Sequence, residues 1–245
     1  MSEDTGVWTY AITEDGHLSG PDGEVDLSWL TGVGETKVRT ATSCGLTVLV
    51  SDVSLADFGE AALRENLENL DWLDEVAREH HYVIDAAARL FPLLPVRLAT
   101  VYSGDDALRA ALAERGAQLL EALRRVGGRV EWGVKAYAAP ESTAAAAPEP
   151  TAAAVSAAQA VHAELTVKAN ATRFHPAPSG QLSRARQPML LNAAYLLDAA
   201  GGVSFTAAVA GQATAHPELR IELTGPWPPY SFVNPDDSPP TEGGH

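Results

Sequence analysis

The sequence predicts an α+β chain of two domains, with mixed strands and helices over residues 1–128 and a β-α-β-β-α-β unit over 129–233. Three observations predict it. Apolar spacing switches repeatedly between period two and steps of three and four. An Ala/Pro segment, residues 138–160, then breaks the pattern with twelve alanines and three prolines in 23 residues. Beyond that segment the alternation of strand and helix signals resumes, the order of a split βαβ sheet with helices on one face.

In the first half, Val7 to Ile12 alternates and carries β-favouring residues. Asp15-Gly16 and Pro21-Asp22-Gly23 mark turns. Lys37–Thr42 and Leu46–Val50 read as strands joined by a Ser43-Cys44-Gly45 turn. The period changes from Leu55, and Leu63, Leu67 and Leu70 step by three and four. Leu73, Ala77, His80, Ile84, Ala87 and Phe91 form one helical stripe, with Pro92 and Pro95 ending the helix. Pro95–Tyr102 reads as a strand. Ser103 with Asp106 matches a capping box for a helix whose apolar face is Leu108, Leu112, Leu119, Leu123 and Val126, stopped by Gly127-Gly128.

In the second half, Val130–Tyr137 is a strand and residues 140–151 a disordered excursion, because proline interrupts any alanine helix there. Helix follows over Val155–Val167, a short strand over Ala171–Phe174 and a loop over Pro176–Arg186. Met189–Leu197 is a strand, Phe205–Ala215 a helix and Leu219–Leu223 a strand. The polar tail, Asn234–His245, reads as disordered.

Composition narrows the function. Lys plus Arg is 17 against 32 Asp plus Glu, a net charge of −15 in 245 residues. Nucleic-acid binding needs a basic footprint, and anionic lipid attracts the same, so neither is expected. The single cysteine, Cys44, excludes an intrachain disulfide and a Cys-rich zinc site. The acidic opening Met1-Ser2-Glu3-Asp4 lacks a secretory pattern, and no apolar run is long enough for a membrane span, so a soluble, cytoplasmic protein is expected.

The search for chemistry returns little. Gly32-Val33-Gly34 is half of a dinucleotide fingerprint, but Lys37 stands where the third glycine belongs and a strand follows, so a flexible turn is expected. His162-Ala163-Glu164 matches a zinc-deaminase fragment without its cysteine pair. His80 and His81 point about 100° apart on a helix and do not easily share a metal. His80 on the apolar stripe reads as a hydrogen-bonded core or interface histidine, and His81 with Asp85 as a surface pair. Asp105-Asp106 is explained by the helix start, and Glu65, Glu68, Asp71, Asp74, Glu75 and Glu79 by a solvated helix face. No catalytic, cofactor-binding or metal residue is assigned. A metal-dependent or small-molecule-binding enzyme built on His80, His81 and nearby carboxylates stands as the alternative reading.

One stretch resists that account. Gly225-Pro226-Trp227-Pro228-Pro229-Tyr230-Ser231-Phe232 combines three prolines, which fix an extended chain, with three aromatics that must bury somewhere. It is either a strap packed on its own domain or a docking surface, with Trp227, Tyr230 and Phe232 the candidate interaction residues.

Together with Leu219–Thr224, this stretch resembles the C-terminal signature of the gas vesicle protein F/L family. Three further blocks, Glu68–His81, Leu94–Tyr102 and Pro188–Asp198, resemble the same family in the same order. The resemblance implies two α+β domains, the second ferredoxin-like, and a minor structural or assembly protein of the gas vesicle without catalysis or cofactor. It implies the shell subunit and other accessory vesicle proteins as partners. An acidic accessory protein can cover an aggregation-prone subunit while repelling its own copies, and the helix faces 73–91 and 108–126 are then contact surfaces or plain core. Self-association through sheet edges is a third option.

Overall fold

The computed structural model describes residues 5–20, 23–139, 149–176 and 187–233. The chain divides into two compact units, Met1–Gly128 and Arg129–His245. Each is α+β and built on an antiparallel sheet. No described helix is long and apolar enough to cross a membrane.

In the first unit, β1 (Thr5–Glu14) is followed by β2 (Ser19–Gly20), β3 (Gly23–Glu24), β4 (Val38–Ser43) and β5 (Leu46–Ser54). Three helices come next: α1 (Leu55–Phe58), α2 (Glu60–Asn66) and α3 (Leu70–Ala88). Then come β6 (Leu94–Pro95), β7 (Val101–Tyr102) and α4 (Asp105–Val126). The sheet order is β4-β5-β1-β6, with β7 also paired to β1. The β4–β5 turn is the two residues Cys44 and Gly45, at φ 55° and 77°, a conformation that suits the strand twist.

β1 is central, and from Gly6 to Thr13 every residue is buried, so both faces are covered. Its hydroxyls are therefore paired: Thr9 Oγ1 donates to Thr100 O at 3.0 Å and Thr13 Oγ1 to Pro92 O at 2.7 Å. Helices α3 and α4 both pack on this sheet. Val76, His80, Val83, Ile84 and Ala87 of α3 are buried, as are Leu108, Leu112, Leu123 and Val126 of α4. These predicted helix faces are interior surface.

Three expectations need correction here. The strand predicted over Pro95–Tyr102 is two short bridges to β1, separated by a loop. Ala99 takes φ 61° and Thr100 Oγ1 turns back to Arg97 O at 2.7 Å, which lifts the middle off the sheet. The capping box is absent: Gly104 is the N-cap of α4 without a side-chain cap, and the carboxylates after it are held by arginines instead. Asp105 accepts from Arg39 of β4 at 2.8 Å, and Asp106 from Arg109 at 3.0 Å. Gly32-Val33-Gly34 is a packed turn. Val33 N–H donates to the Tyr10 hydroxyl at 2.8 Å, and Gly34 N–H to Glu79 Oε2 at 3.0 Å.

The second unit runs β8 (Arg129–Ala138), α5 (Ala152–Thr166), β9 (Ala171–Phe174), β10 (Met189–Asp198), α6 (Gly202–Ala215) and β11 (Leu219–Trp227). The sheet order is β11-β8-β10-β9, and every neighbouring pair is antiparallel. Trp132, Val134 and Ala136 of β8 and Ala193, Tyr195 and Leu197 of β10 share one core with Val161 and Leu165 of α5 and Phe205 and Val209 of α6. Both helices therefore cover one sheet face. By alternation, Glu131 of β8 points to the other face. Thr151 caps α5, its side chain accepting from Ala154 N–H at 3.2 Å. Of the predicted excursion 140–151, residues 140–148 lie outside the described residues, as do Pro21-Asp22, loop residues 177–186 and the tail 234–245.

Candidate functional site

The C-terminal strap begins where β11 leaves regular pairing with β8. The register shifts between Thr224 and Trp227, and Trp227 then pairs with Glu131. Gly225 makes that shift possible. Its φ is 119°, and a Cβ there would lie 2.8 Å from Glu131 O and 3.2 Å from Trp132 Cε3. Beyond Trp227 the chain is not extended, as its prolines predict. Tyr230 N–H donates to Pro228 O at 2.8 Å and Phe232 N–H to Pro229 O at 3.1 Å, closing a 3-10 turn over Tyr230–Phe232.

A side-chain clasp fastens that turn. Ser231 N–H donates to Glu131 Oε2 at 2.8 Å and Ser231 Oγ donates to Glu131 Oε1 at 2.6 Å. His175 Nε2 lies 3.2 Å from the same Oγ. An ionised carboxylate only accepts and a serine hydroxyl holds one proton, so His175 donates to Ser231 in this arrangement. Burial pushes the Glu131 carboxyl up, against the lowering influence of the two Ser231 bonds and of the His175 and Arg173 charges. The three predicted interaction residues are placed differently. Phe232 is 6% exposed, Tyr230 half-buried and Trp227 44% exposed. The clasp was not visible in the sequence, because Glu131 and Ser231 are 100 residues apart and neither belongs to a local motif.

His80 takes the core role. Trp8 Nε1–H donates to His80 Nδ1 at 3.0 Å, which makes Nδ1 the bare nitrogen. His80 Nε2, 3.0 Å from Val96 O, then carries the proton. Tyr10 stacks on the imidazole at 5.4 Å between ring centroids. Desolvation lowers the His80 pKa to about 4, against the pull of the Val96 carbonyl. The ring is thus neutral with both nitrogens engaged. Its neighbour His81 is half-buried at the next helix position. Asp85 accepts from Arg89 at 2.6 Å and Asp74 from Arg78 at 2.6 Å, so these carboxylates lie in surface ion pairs along α3.

The remaining motif residues are also structural. His162 Nδ1 is 2.8 Å from the Tyr195 hydroxyl, and its ring packs 4.5 Å from Phe174. Asn170 Oδ1 accepts from Asp198 N–H at 3.2 Å. Cys44 is exposed on its hairpin. Among the described residues no group of three or more His, Cys, Asp or Glu is placed to hold a metal ion.

Comparison with known proteins agrees with the resemblance read from the sequence. The family model described as "Gas vesicle synthesis protein GvpL/GvpF" matches residues 6–156 and 145–234. Gas vesicle protein L of Streptomyces sp. strain CB03234 is 36% identical over 261 residues, covering 95% of this chain and 94% of that protein. Gas vesicle protein F2 of Halobacterium salinarum is 24% identical, covering 96% and 94%. The crystal structure of GvpF from Anabaena sp. PCC7120 superimposes with a TM-score of 0.67 at 19% identity, covering 94% of this chain and 96% of that one. GvpF from Microcystis aeruginosa gives 0.65 at 18% identity, covering 94% and 99%. These two structures share the fold, and the family model spans almost the whole chain. The protein belongs to the GvpL/GvpF family of gas vesicle proteins.

Proposed function

We propose that this protein is a non-enzymatic minor structural or assembly component of the gas vesicle, working by contact with the shell subunit and other accessory vesicle proteins. Family membership supplies the vesicle association. The observation that supports a contact role is the strap: Phe232 is interior while Trp227, on the same short segment, is 44% exposed at a site whose backbone is fixed by strand pairing. A large ring held at the surface on a pinned backbone loses little entropy on docking. His80, the residue on which the enzyme reading leaned, has both ring nitrogens occupied inside the core, which favours the non-catalytic reading.

Two structural readings belong to this proposal. The second unit is a ferredoxin-like domain, supported by its element order, its antiparallel strand order and the placement of both helices on one face. Residues 1–128 and 129–233 are domains able to fold separately, supported by the division of the chain after Gly128. The test of function is a pull-down from vesicle-forming cells, with the shell subunit as the expected catch. Trp227→Ala should lose the shell subunit while keeping its fold. Normal numbers of buoyant vesicles after deletion of the gene would refute the assignment.

A further inference from the structure

The two attachments of the strap converge on one residue. Trp227 pairs with Glu131 through the backbone, and Ser231 reaches the Glu131 carboxylate through both N–H and Oγ. Between them, Pro228 and Pro229 link the strand to the 3-10 turn. Lifting the turn therefore removes both side-chain donors from Glu131 in one motion while the strand pairing at Trp227 can persist.

We propose that the strap is a proton-linked latch: the Tyr230–Phe232 turn closes over the Glu131 carboxyl, and protonation of that carboxyl favours the closed state. With the latch closed, the carboxyl lies under the turn, with Ser231 on it and His175 and Arg173 of the β9 region as the charged groups facing it. With the latch open, water replaces Ser231 and restores ordinary hydration. A carboxyl that is harder to ionise in one state binds protons more tightly there, so acid must shift the balance toward that state. The closed state is the desolvated one, and desolvation outweighs the bonds and charges that favour the anion. The neutral acid also keeps the clasp geometry. One oxygen still accepts from Ser231 N–H, and the protonated oxygen donates to Ser231 Oγ, whose own proton turns toward His175.

Opening frees Ser231 and uncovers Phe232, which is 6% exposed when closed. The latch would thus govern how much of the aromatic strap is offered for contact. That consequence rests on the contact role proposed above. The latch itself is intramolecular and is tested without a partner.

The experiment is amide exchange of Tyr230–Val233 in the full chain, corrected for intrinsic exchange, in the wild type, Glu131→Gln and Ser231→Ala. As the pH rises from about 5.5 to about 7.5, the open fraction in the wild type should rise several-fold. Glu131→Gln, which mimics the neutral acid, should stay near the low-pH level throughout. Ser231→Ala should open more at every pH, by roughly tenfold where the bond lost is to a charged group. A flat wild-type profile would overturn the proposal, as would a Glu131→Gln profile with the wild-type slope. Should Glu131→Gln fail to fold, the wild-type and Ser231→Ala profiles decide alone. If exchange behaves as expected while the shell subunit is not captured, the contact role falls and the latch stands.

Discussion

Acidification should weaken the first unit through His80 in a way that one substitution removes. The imidazole is fixed as the Nε2–H tautomer between Trp8 Nε1–H and Val96 O. A proton added at Nδ1 would face the indole N–H, two donors in a site 3% exposed. The folded-state pKa is accordingly depressed from 6.5 to about 4. The unfolded chain takes up this proton first as the pH falls, so stability declines below about pH 6.5 and the loss is complete once the pH passes below about 4. At pH 5 the linkage ratio is roughly 30, or about 2 kcal/mol, and the full loss is roughly 3 kcal/mol. His80→Gln retains an acceptor and a donor but does not titrate. Urea denaturation followed by tryptophan fluorescence at pH 7 and about pH 5 should show the wild type losing about 2 kcal/mol more than the variant. The comparison cancels other titrating groups, including Glu131, whose raised value acts with the opposite sign. Equal pH-dependent losses in the two proteins would refute the neutral-core assignment, as would an imidazole NMR titration near the ordinary histidine range.

Three further outcomes follow from packing. Gly32→Ala should cost about 1–3 kcal/mol by thermal or urea denaturation, because its Cβ would sit 2.1 Å from the Tyr10 hydroxyl in the network with Ser51 and Val33. Phe232→Ala should cost about 3–5 kcal/mol in the same assay if the second unit unfolds cooperatively, whereas Trp227→Ala, with its ring 44% exposed, should cost clearly less. Cys44→Asn should be neutral or stabilise by about 0.5–1 kcal/mol, because Cys44 sits at φ 55° in a two-residue hairpin where asparagine is better suited, and a measurable loss would contradict that turn assignment.

Where structure is dictated by neighbours in sequence, the chain was readable. The stripe through His80 located α3, displaced by about one turn, and Ala171–Phe174 matches β9 at both ends. Both helix–strand alternations in the second unit were visible because each apolar face repeats within a few residues. The misreadings arise where distant residues decide. The strand expected over Pro95–Tyr102 has the right composition, but β1 pairs only with its two ends and Ala99 turns the middle away. Ser103 and Asp106 have capping-box spacing, yet Arg39, on a strand 66 residues before Asp105, anchors the start of α4 instead. The aromatic strap was found by composition, whereas the partner that fastens it was not, since Glu131 looked like one more polar residue on an alternating strand.

The two buried ionisable groups show how burial can serve opposite ends. His80 meets its neighbours with one donor and one acceptor, so a single neutral tautomer satisfies Trp8 and Val96 and no charge needs accommodating near pH 7. Such a group rigidifies the sheet–helix contact and resists change until acid forces it. Glu131 is different, because the donors that stabilise its anion come largely from Ser231 on a short terminal turn. Its protonation state and the position of that turn therefore cannot vary independently. A protein that acts by presenting surface gains from having the first kind of group in its scaffold and the second beneath its contact segment. The prediction that separates this view from one of uniform structural packing is that His80→Gln leaves strap exchange unchanged while Glu131→Gln alters it.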